Sequence, residues 1–139
     1  MTVDEERIAL EEAAACTPIA ISAGQFNPDA KIPYGLTVKH IEKAMGEFVE
    51  FLGFINAQLH TKKIERLESF LMPANFSSIV GEFMAAAIPK YCKSVVRNTY
   101  HNGHPDLIPK GVFPNDSIYF SFIKTGIDIF QDLFGSELL

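Results

Sequence analysis

The feature that constrains the fold most is one apolar seam in the first half of the chain. Seven hydrophobic residues recur there at alternating spacings of three and four: Val38, Ile41, Met45, Phe48, Leu52, Ile55 and Leu59. This spacing places them on one face of a helix of about 23 residues that begins after a capping Thr37. Ala44, Phe51 and Phe54 widen the seam, so we expect a helix buried on more than one side. A homodimer contact through the seam is the alternative, but coiled coils usually run longer and carry flanking charges, so a core helix is favoured.

The segment 1–36 predicts one helix followed by an irregular arm. Thr2 and Glu5 have the S/T-x-x-E spacing of a capping box, and the residues after them are rich in Ala, Leu and Glu. We therefore expect a helix over 3–16, ended by Pro18. The prolines and glycines that follow predict an arm without regular structure.

Two shorter helices are predicted after the seam. The first covers 61–71, and four of its residues are expected to face inward: Ile64, Leu67, Phe70 and Leu71. The second begins at Asn75 or Ser77, carries a further apolar run, and is kinked or ended by Pro89. The segment 37–92 is therefore predicted to be a helical region.

The composition is that of one globular domain. Of the 139 residues, 47% are apolar and 12% aromatic, which is enough to fill a core. No apolar run approaches the roughly 20 residues of a membrane span, and the N-terminus is acidic, so we expect a cytoplasmic protein with no membrane partner. Cys16 and Cys92 have no metal-type spacing and are expected to be reduced and packed. The net charge of −5 argues against binding nucleic acid by bulk electrostatics. This argument does not apply to a local cluster of Lys and Arg.

The last third of the chain carries one punctuated stretch, HNGHPDLIPKGVFPN, at 101–115. Asp106 follows Pro105 and precedes an apolar pair, so it is expected where a loop enters a short strand. Residues 117–123 alternate between apolar and polar, which predicts a second strand. The segment 125–134 is open to two interpretations. It is either a short strand holding Asp128, or a helix capped through a T-x-x-D pattern, in which case Asp128 is only a capping acid.

Two stretches of the chain resemble the N-terminal half of restriction-endonuclease-like proteins of the PD-(D/E)XK superfamily. They are RLESFLMPANFSSIVGEFM at 66–84 and YHNGHPDLIPKGVFPNDS at 100–117. Pro105 and Asp106 match the PD. In this family a second acid and a lysine follow on a neighbouring strand, in a word such as G-I-E-V-K. The corresponding word here is G-I-D-I-F, at 126–130, so the resemblance supplies Asp128 as the second acid and Phe130 in place of the lysine.

The resemblance implies a Mg²⁺-dependent endonuclease that acts on double-stranded DNA. Asp106 and Asp128 become the catalytic acids and the metal ligands, because one or two carboxylates are what Mg²⁺ takes from a protein. Glu82 is a third catalytic candidate, pointing toward the metal from its helix, although a plain surface glutamate is the favoured interpretation. Arg97 and Lys110 are the candidate DNA-binding residues, and ordinary surface cations otherwise.

Without the lysine, nothing in this word can orient the attacking water or stabilise developing charge. We therefore expect a truncated, frame-altered or divergent family member, and we predict that the 139-residue chain cleaves DNA very weakly or not at all. The predicted fold class is α+β, a mostly helical N-terminal part packed on an incomplete restriction-endonuclease-like sheet at 93–139.

Two other hypotheses remain open. His101, His104 and Asp106 form H-x-x-H-x-D, which has the donor types for Zn²⁺, with His40 or His60 as a fourth ligand. Loop histidines that only shape the turn are the favoured alternative to that site. A non-catalytic helical protein-interaction module is the alternative to the nuclease.

Overall fold

The computed structural model describes residues 2–15, 17–100, 104–111 and 125–135. Helices dominate, and one small antiparallel sheet follows them, which makes the fold α+β. The helices are α1 (Val3–Ala15), α2 (Val38–Thr61), α3 (Leu67–Phe70) and α4 (Pro73–Tyr91). The strands are β1 (Val95–Arg97) and β2 (Leu107–Pro109), and a π-helical segment covers Ile129–Phe134. The strand predicted at 117–123 lies outside the described residues.

The core lies between α2 and α4, as the seam predicts. Ile41 and Ala44 of α2 are buried against Met84 and Ile88 of α4. Between the same two helices lies a set of aromatic rings in mutual contact: Phe48, Phe51, Phe76 and Phe83. Thr37 caps α2 as predicted, since its Oγ1 accepts the amide of His40. The seam therefore packs against α4 of the same chain, although the side chain of Phe54 is exposed rather than buried.

The N-terminal prediction is confirmed in its main points. The amide of Thr2 donates to Glu5 Oε2 at 2.7 Å, and the amide of Glu5 donates to Thr2 Oγ1 at 3.2 Å, which is a capping box. The arm that follows α1 is irregular apart from a short 3₁₀ turn at Ala23–Gln25. Cys92 is a free buried cysteine, as expected, whereas Cys16 lies outside the described residues.

The helix predicted over 61–71 is wrong. The chain leaves the helical conformation at Lys63, whose φ is +57°, and only α3, Leu67–Phe70, is helical there. Two of the residues predicted to face inward are exposed, Ile64 by 43% and Phe70 by 63%. The physical reason is a contact from another element, because Asn56 Oδ1 of α2 accepts the amide of Leu67 at 2.8 Å and fixes the start of α3 there.

Helix α4 begins earlier than predicted, and it does not end at Pro89. It begins with Pro73 at its first position rather than at Asn75 or Ser77, which suits a residue that has no amide hydrogen to leave unpaired. It also continues past Pro89 to Tyr91, where the amide of Cys92 closes it on Ile88.

The sheet sits at the C-terminal end of α4. Strands β1 and β2 pair antiparallel, with Val96 opposite Ile108 and Arg97 opposite Leu107. Ile127 adds an isolated antiparallel bridge to the free side of Leu107. Leu107, Ile127 and Ile129 are fully buried and join the core, so the sheet edge and the helices share one interior.

Candidate active site

A cleft of about 1070 Å³ opens between the N-terminal part of α4 and the end of β1. One wall is formed by the exposed face of α4, including Ser77, Ser78 and Glu82. The other wall is the chain from Arg97 to Tyr100, and Asp106 and Phe130 complete the lining. Three residues predicted from the sequence as site residues, Glu82, Arg97 and Asp106, therefore line one cleft although they come from three separate segments.

Asp106 stands immediately before β2, as the sequence predicts. Its Oδ2 accepts the amide of Ile129 at 2.8 Å, and its backbone carbonyl accepts the amide of Asn98 at 2.9 Å. Burial raises the pKa of this carboxyl, and the negative charges of Asp128 and Glu82 raise it further against the opposing effect of the Ile129 amide and His104. The ionised form of Asp106 is therefore destabilised here, and a nearby cation would stabilise it.

Asp128 lies opposite Asp106 across the bridge between Leu107 and Ile127. Both amides of that bridge are bonded, Leu107 N–H to Ile127 O at 3.0 Å and Ile127 N–H to Leu107 O at 2.8 Å. Residues that flank an antiparallel pair face each other on one side of the sheet, so the two aspartates are neighbours. The strand interpretation of 125–134 thus holds as far as Ile127.

A helical segment begins directly after Asp128, but Asp128 does not cap it in the way the T-x-x-D pattern predicts. Its side chain makes no capping hydrogen bond. Instead, the backbone amide of Asp128 donates to Asp132 Oδ2 at 2.8 Å. The Asp128 carboxylate points elsewhere, with Oδ2 lying 3.0 Å from His104 Nε2. The interpretation of Asp128 as only a capping acid is therefore wrong.

Gly126 makes this arrangement possible. A Cβ atom at this position would lie 2.0 Å from the carbonyl oxygen of Leu107 and 2.6 Å from Pro105 Cγ. Any side chain here would push the 125–129 segment away from β2. The close approach that brings Asp128 beside Asp106 thus depends on this glycine.

Glu82 and Arg97 form an ion pair at the mouth of the cleft, through Glu82 Oε2 and Arg97 Nη2. Both side chains remain substantially exposed, Glu82 by 73% and Arg97 by 41%. Arg97 is opposite Leu107 in the sheet, which places its backbone next to that of Asp106. Glu82 is thus a surface residue of α4, as the plainer interpretation held, and also a neighbour of the acid pair.

The remaining predicted residues lie apart from this group. Lys110 follows the other end of β2, where its amide donates to the carbonyl of Ser94 at 2.9 Å, and it is not part of the cleft. Phe130, in the position of the missing lysine, packs on α4: a Cβ at Gly81 would lie 2.9 Å from its ring. His101 lies outside the described residues, and His40 is engaged at the start of α2, where its Nδ1 accepts the Thr37 amide.

The aspartate pair offers the oxygen donors that Mg²⁺ takes from proteins. Asp106 and Asp128 offer carboxylate oxygens, and Mg²⁺ is normally held by one or two carboxylates with water and phosphate oxygens completing its shell. Within the four described ranges, which leave out His101, no three His, Cys, Asp or Glu side chains converge closely enough to hold one ion. A cation held here would therefore depend on the aspartate pair.

Comparison of the chain with protein-family models, curated proteins and solved structures finds no match. The PD-(D/E)XK resemblance stays a prediction from the residues. In the part of the chain that the structure describes, no helix is both long and apolar enough to cross a lipid bilayer.

The sequence did not predict two features of the site. His104 was considered as a zinc ligand or a turn residue, whereas it lies against Asp128, a residue far along the chain. The role of Gly126 depends on the approach of Leu107, which no local pattern reveals. The only sequence signal for either feature is the G-I-D motif at 126–128, which places a glycine and an acid on the two sides of a strand residue.

Proposed function

We propose that the chain is a cytoplasmic restriction-endonuclease-like protein that binds double-stranded DNA in the cleft and Mg²⁺ through Asp106 and Asp128, with strongly impaired cleavage. One observation carries this proposal: Asp106 lines the cleft together with Arg97 and has a raised pKa, and Asp128 occupies the position opposite it in the antiparallel pair. Groups of this kind, destabilised when ionised and set in a cleft, are frequent at functional sites.

The order of the elements agrees with the resemblance. A helix carrying Glu82 precedes the sheet, Asp106 enters β2, and Asp128 follows on the neighbouring segment. When bound, Mg²⁺ neutralises phosphate charge and activates water. Asp106 and Asp128 would hold it, and Arg97 would contact a phosphate through its planar fork of donors.

Impaired cleavage follows from Phe130. A lysine there would supply a positive charge and a proton-transfer group next to the acids, and a phenyl ring packed on Gly81 supplies neither. We therefore expect this chain to bind the metal ion and DNA without cleaving DNA efficiently. For this reason the proposal is tested first on metal binding.

The test is Mn²⁺ binding, followed by titration calorimetry and by the paramagnetic resonance of free Mn²⁺. The wild type is expected to bind one Mn²⁺, and Asp106→Asn and Asp128→Asn are each expected to abolish this binding. Asp29→Asn removes an exposed acid from the N-terminal arm and serves as the control for net charge. Equal binding curves for all four proteins would refute the metal site, and rapid Mg²⁺-dependent nicking of plasmid DNA by the wild type would refute the impairment.

A helical protein-interaction module is the second candidate, and exposed apolar side chains favour it. Large hydrophobic residues of α1, of the arm and of the α2–α3–α4 corner are mostly exposed: Val3, Leu10, Ile19, Phe54, Phe70 and Met72. Such residues often mark a contact surface when they are contiguous. This candidate predicts no difference between the Asp106→Asn and Asp29→Asn proteins in the Mn²⁺ experiment.

A further inference from the structure

The ion pair at the mouth of the cleft suggests how access of DNA is controlled. Resting on the proposed function, we propose that Glu82 is an internal competitor of the DNA phosphate: its carboxylate occupies, on Arg97, the position that a phosphodiester takes when DNA enters the cleft.

For Arg97, the Glu82 carboxylate and a DNA phosphate are equivalent hydrogen-bond partners. A guanidinium group presents a planar fork of N–H donors, and it binds a carboxylate and a phosphate through the same donors. Glu82 already contacts one terminal nitrogen of that fork, Nη2. A phosphate on the same nitrogen would have to displace the carboxylate.

The position of Arg97 makes this competition relevant to the site. Its backbone is paired with Leu107, the residue after Asp106, and the amide of the next residue, Asn98, donates to the Asp106 carbonyl. Arg97 and Asp106 also line the same cleft, so a phosphate held by Arg97 would lie in the cleft that Asp106 lines. Glu82, by contrast, is attached to α4, so its long side chain can rotate away without moving the sheet.

The scarcity of positive charge in the cleft makes the pairing of Glu82 with Arg97 important for DNA binding. Among the described residues that line the cleft, Arg97 is the only Lys or Arg, while Glu82 and Asp106 are acidic. With Arg97 paired to Glu82, the lining residues that the structure describes offer no free Lys or Arg to a polyanion. The net charge of −5 makes attraction from the rest of the surface weak.

The pair is also weak enough to be displaced. Both side chains are more than a third exposed, Glu82 by 73% and Arg97 by 41%. Exposed ion pairs contribute little because water screens them and both side chains lose freedom. Glu82 is thus expected to reduce the affinity for phosphate without abolishing it.

The experiment measures binding of a short fluorescein-labelled DNA duplex by anisotropy, in EDTA, so that no metal takes part. The proteins are wild type, Glu82→Gln, Arg97→Gln and the double variant. Glu47→Gln is the matched control, because it removes the same charge from another pair between side chains, with Lys90, outside the cleft. Thermal melts verify folding, and Arg97→Met, which keeps an aliphatic stem without the charge, replaces Arg97→Gln if the latter does not melt cooperatively.

We expect Glu82→Gln to tighten DNA binding by about two- to fivefold, which corresponds to the loss of one exposed ion pair, and Glu47→Gln to change it less. In the Arg97→Gln background, Glu82→Gln is expected to add nothing. Equal gains from Glu82→Gln and Glu47→Gln, a gain that persists without Arg97, or no DNA binding by Glu82→Gln would each overturn the competitor role. The first two outcomes overturn the competitor role alone, whereas the absence of DNA binding would also refute the DNA-binding part of the proposed function. None of these outcomes alters the Mn²⁺ result, which reports on the aspartate pair.

Discussion

The helical half and the sheet half of the molecule are held together in different ways. Between α2 and α4 the contacts are made by side chains, with four phenylalanine rings whose centroids lie 5.0–6.2 Å apart. Around β2 the contacts are made by the backbone. Gly126 lies against the Leu107 carbonyl, and Ile127 is hydrogen-bonded to Leu107 through both its N–H and its C=O. Side-chain packing tolerates small adjustments, whereas close backbone contact does not. The aspartates lie in the half that tolerates change least.

Gly126→Ala should therefore have the largest effect. Its new methyl group would overlap the Leu107 carbonyl, so the 125–129 segment must separate from β2. We expect a loss of about 3 kcal/mol in the free energy of unfolding, a typical cost of severe overpacking, together with the loss of Mn²⁺ binding. Urea unfolding followed by circular dichroism measures the first effect.

Gly46→Ala in α2 is the matched control for that change. A Cβ there would meet no atom within 4 Å, and the glycine lies inside a long helix. Because alanine has the higher helix propensity, a gain of about 0.5–1 kcal/mol is expected. If both substitutions had the same effect, the contrast between the two halves would be refuted.

This contrast also explains which parts of the fold could be predicted. The seam of α2 and the cap at Thr37 were predicted because periodicity and capping are local properties of a sequence. The site was predicted only through its residue types, since Glu82, Arg97 and Asp106 meet by tertiary contacts. The error at 61–71 has the same origin: its apolar spacing is helical, but Asn56, from another helix, determines where α3 begins.

Asn56→Ala should have the second largest effect, and it tests whether the helical half has a comparable sensitive point. The side chain of Asn56 is 2% exposed, donates to Glu68 Oε2 at 2.9 Å and accepts the Leu67 amide. Its removal leaves a partly buried amide unpaired, which costs about 2 kcal/mol. Urea unfolding of this variant is compared with that of Gln58→Ala, an exposed position on the same helix. A loss no larger than that of the control would show that α3 is held by apolar contacts instead.

Asp106→Asn should increase stability at neutral pH. Burial raises the pKa of Asp106 above its ordinary value of 3.8, so the folded state binds the proton more tightly than the unfolded state. The stability that Asp106 contributes is therefore complete below that value and is lost as the pH rises through the folded-state pKa. Asparagine can still accept the Ile129 amide but carries no charge.

Thermal melting at several pH values checks the sign of this effect. The Asp106→Asn protein should melt above the wild type at pH 7, and the difference should disappear as the pH falls below 3.8. Asp29→Asn controls for the change in net charge. A melting temperature lowered by Asp106→Asn at neutral pH would mean that the ionised carboxylate stabilises the sheet half, and that the site has no need of a cation.

Tyr91→Phe should have the smallest effect, because it removes a polar contact at the surface of the helical half. The Tyr91 hydroxyl donates to Glu47 Oε1 at 2.5 Å, and this hydrogen bond lowers the pKa of Glu47 and raises that of Tyr91. A lowered folded-state pKa gives stability that is present above the ordinary value of 4.5 and is lost as the pH falls through the folded-state pKa. The variant should melt slightly below the wild type at pH 7, with the gap narrowing toward pH 3, whereas Tyr34→Phe in the arm should show no such trend. A large, pH-independent loss would mean that the Tyr91 hydroxyl stabilises the helical half independently of the charge of Glu47, and that this half is as intolerant of small changes as the strand that carries the aspartates.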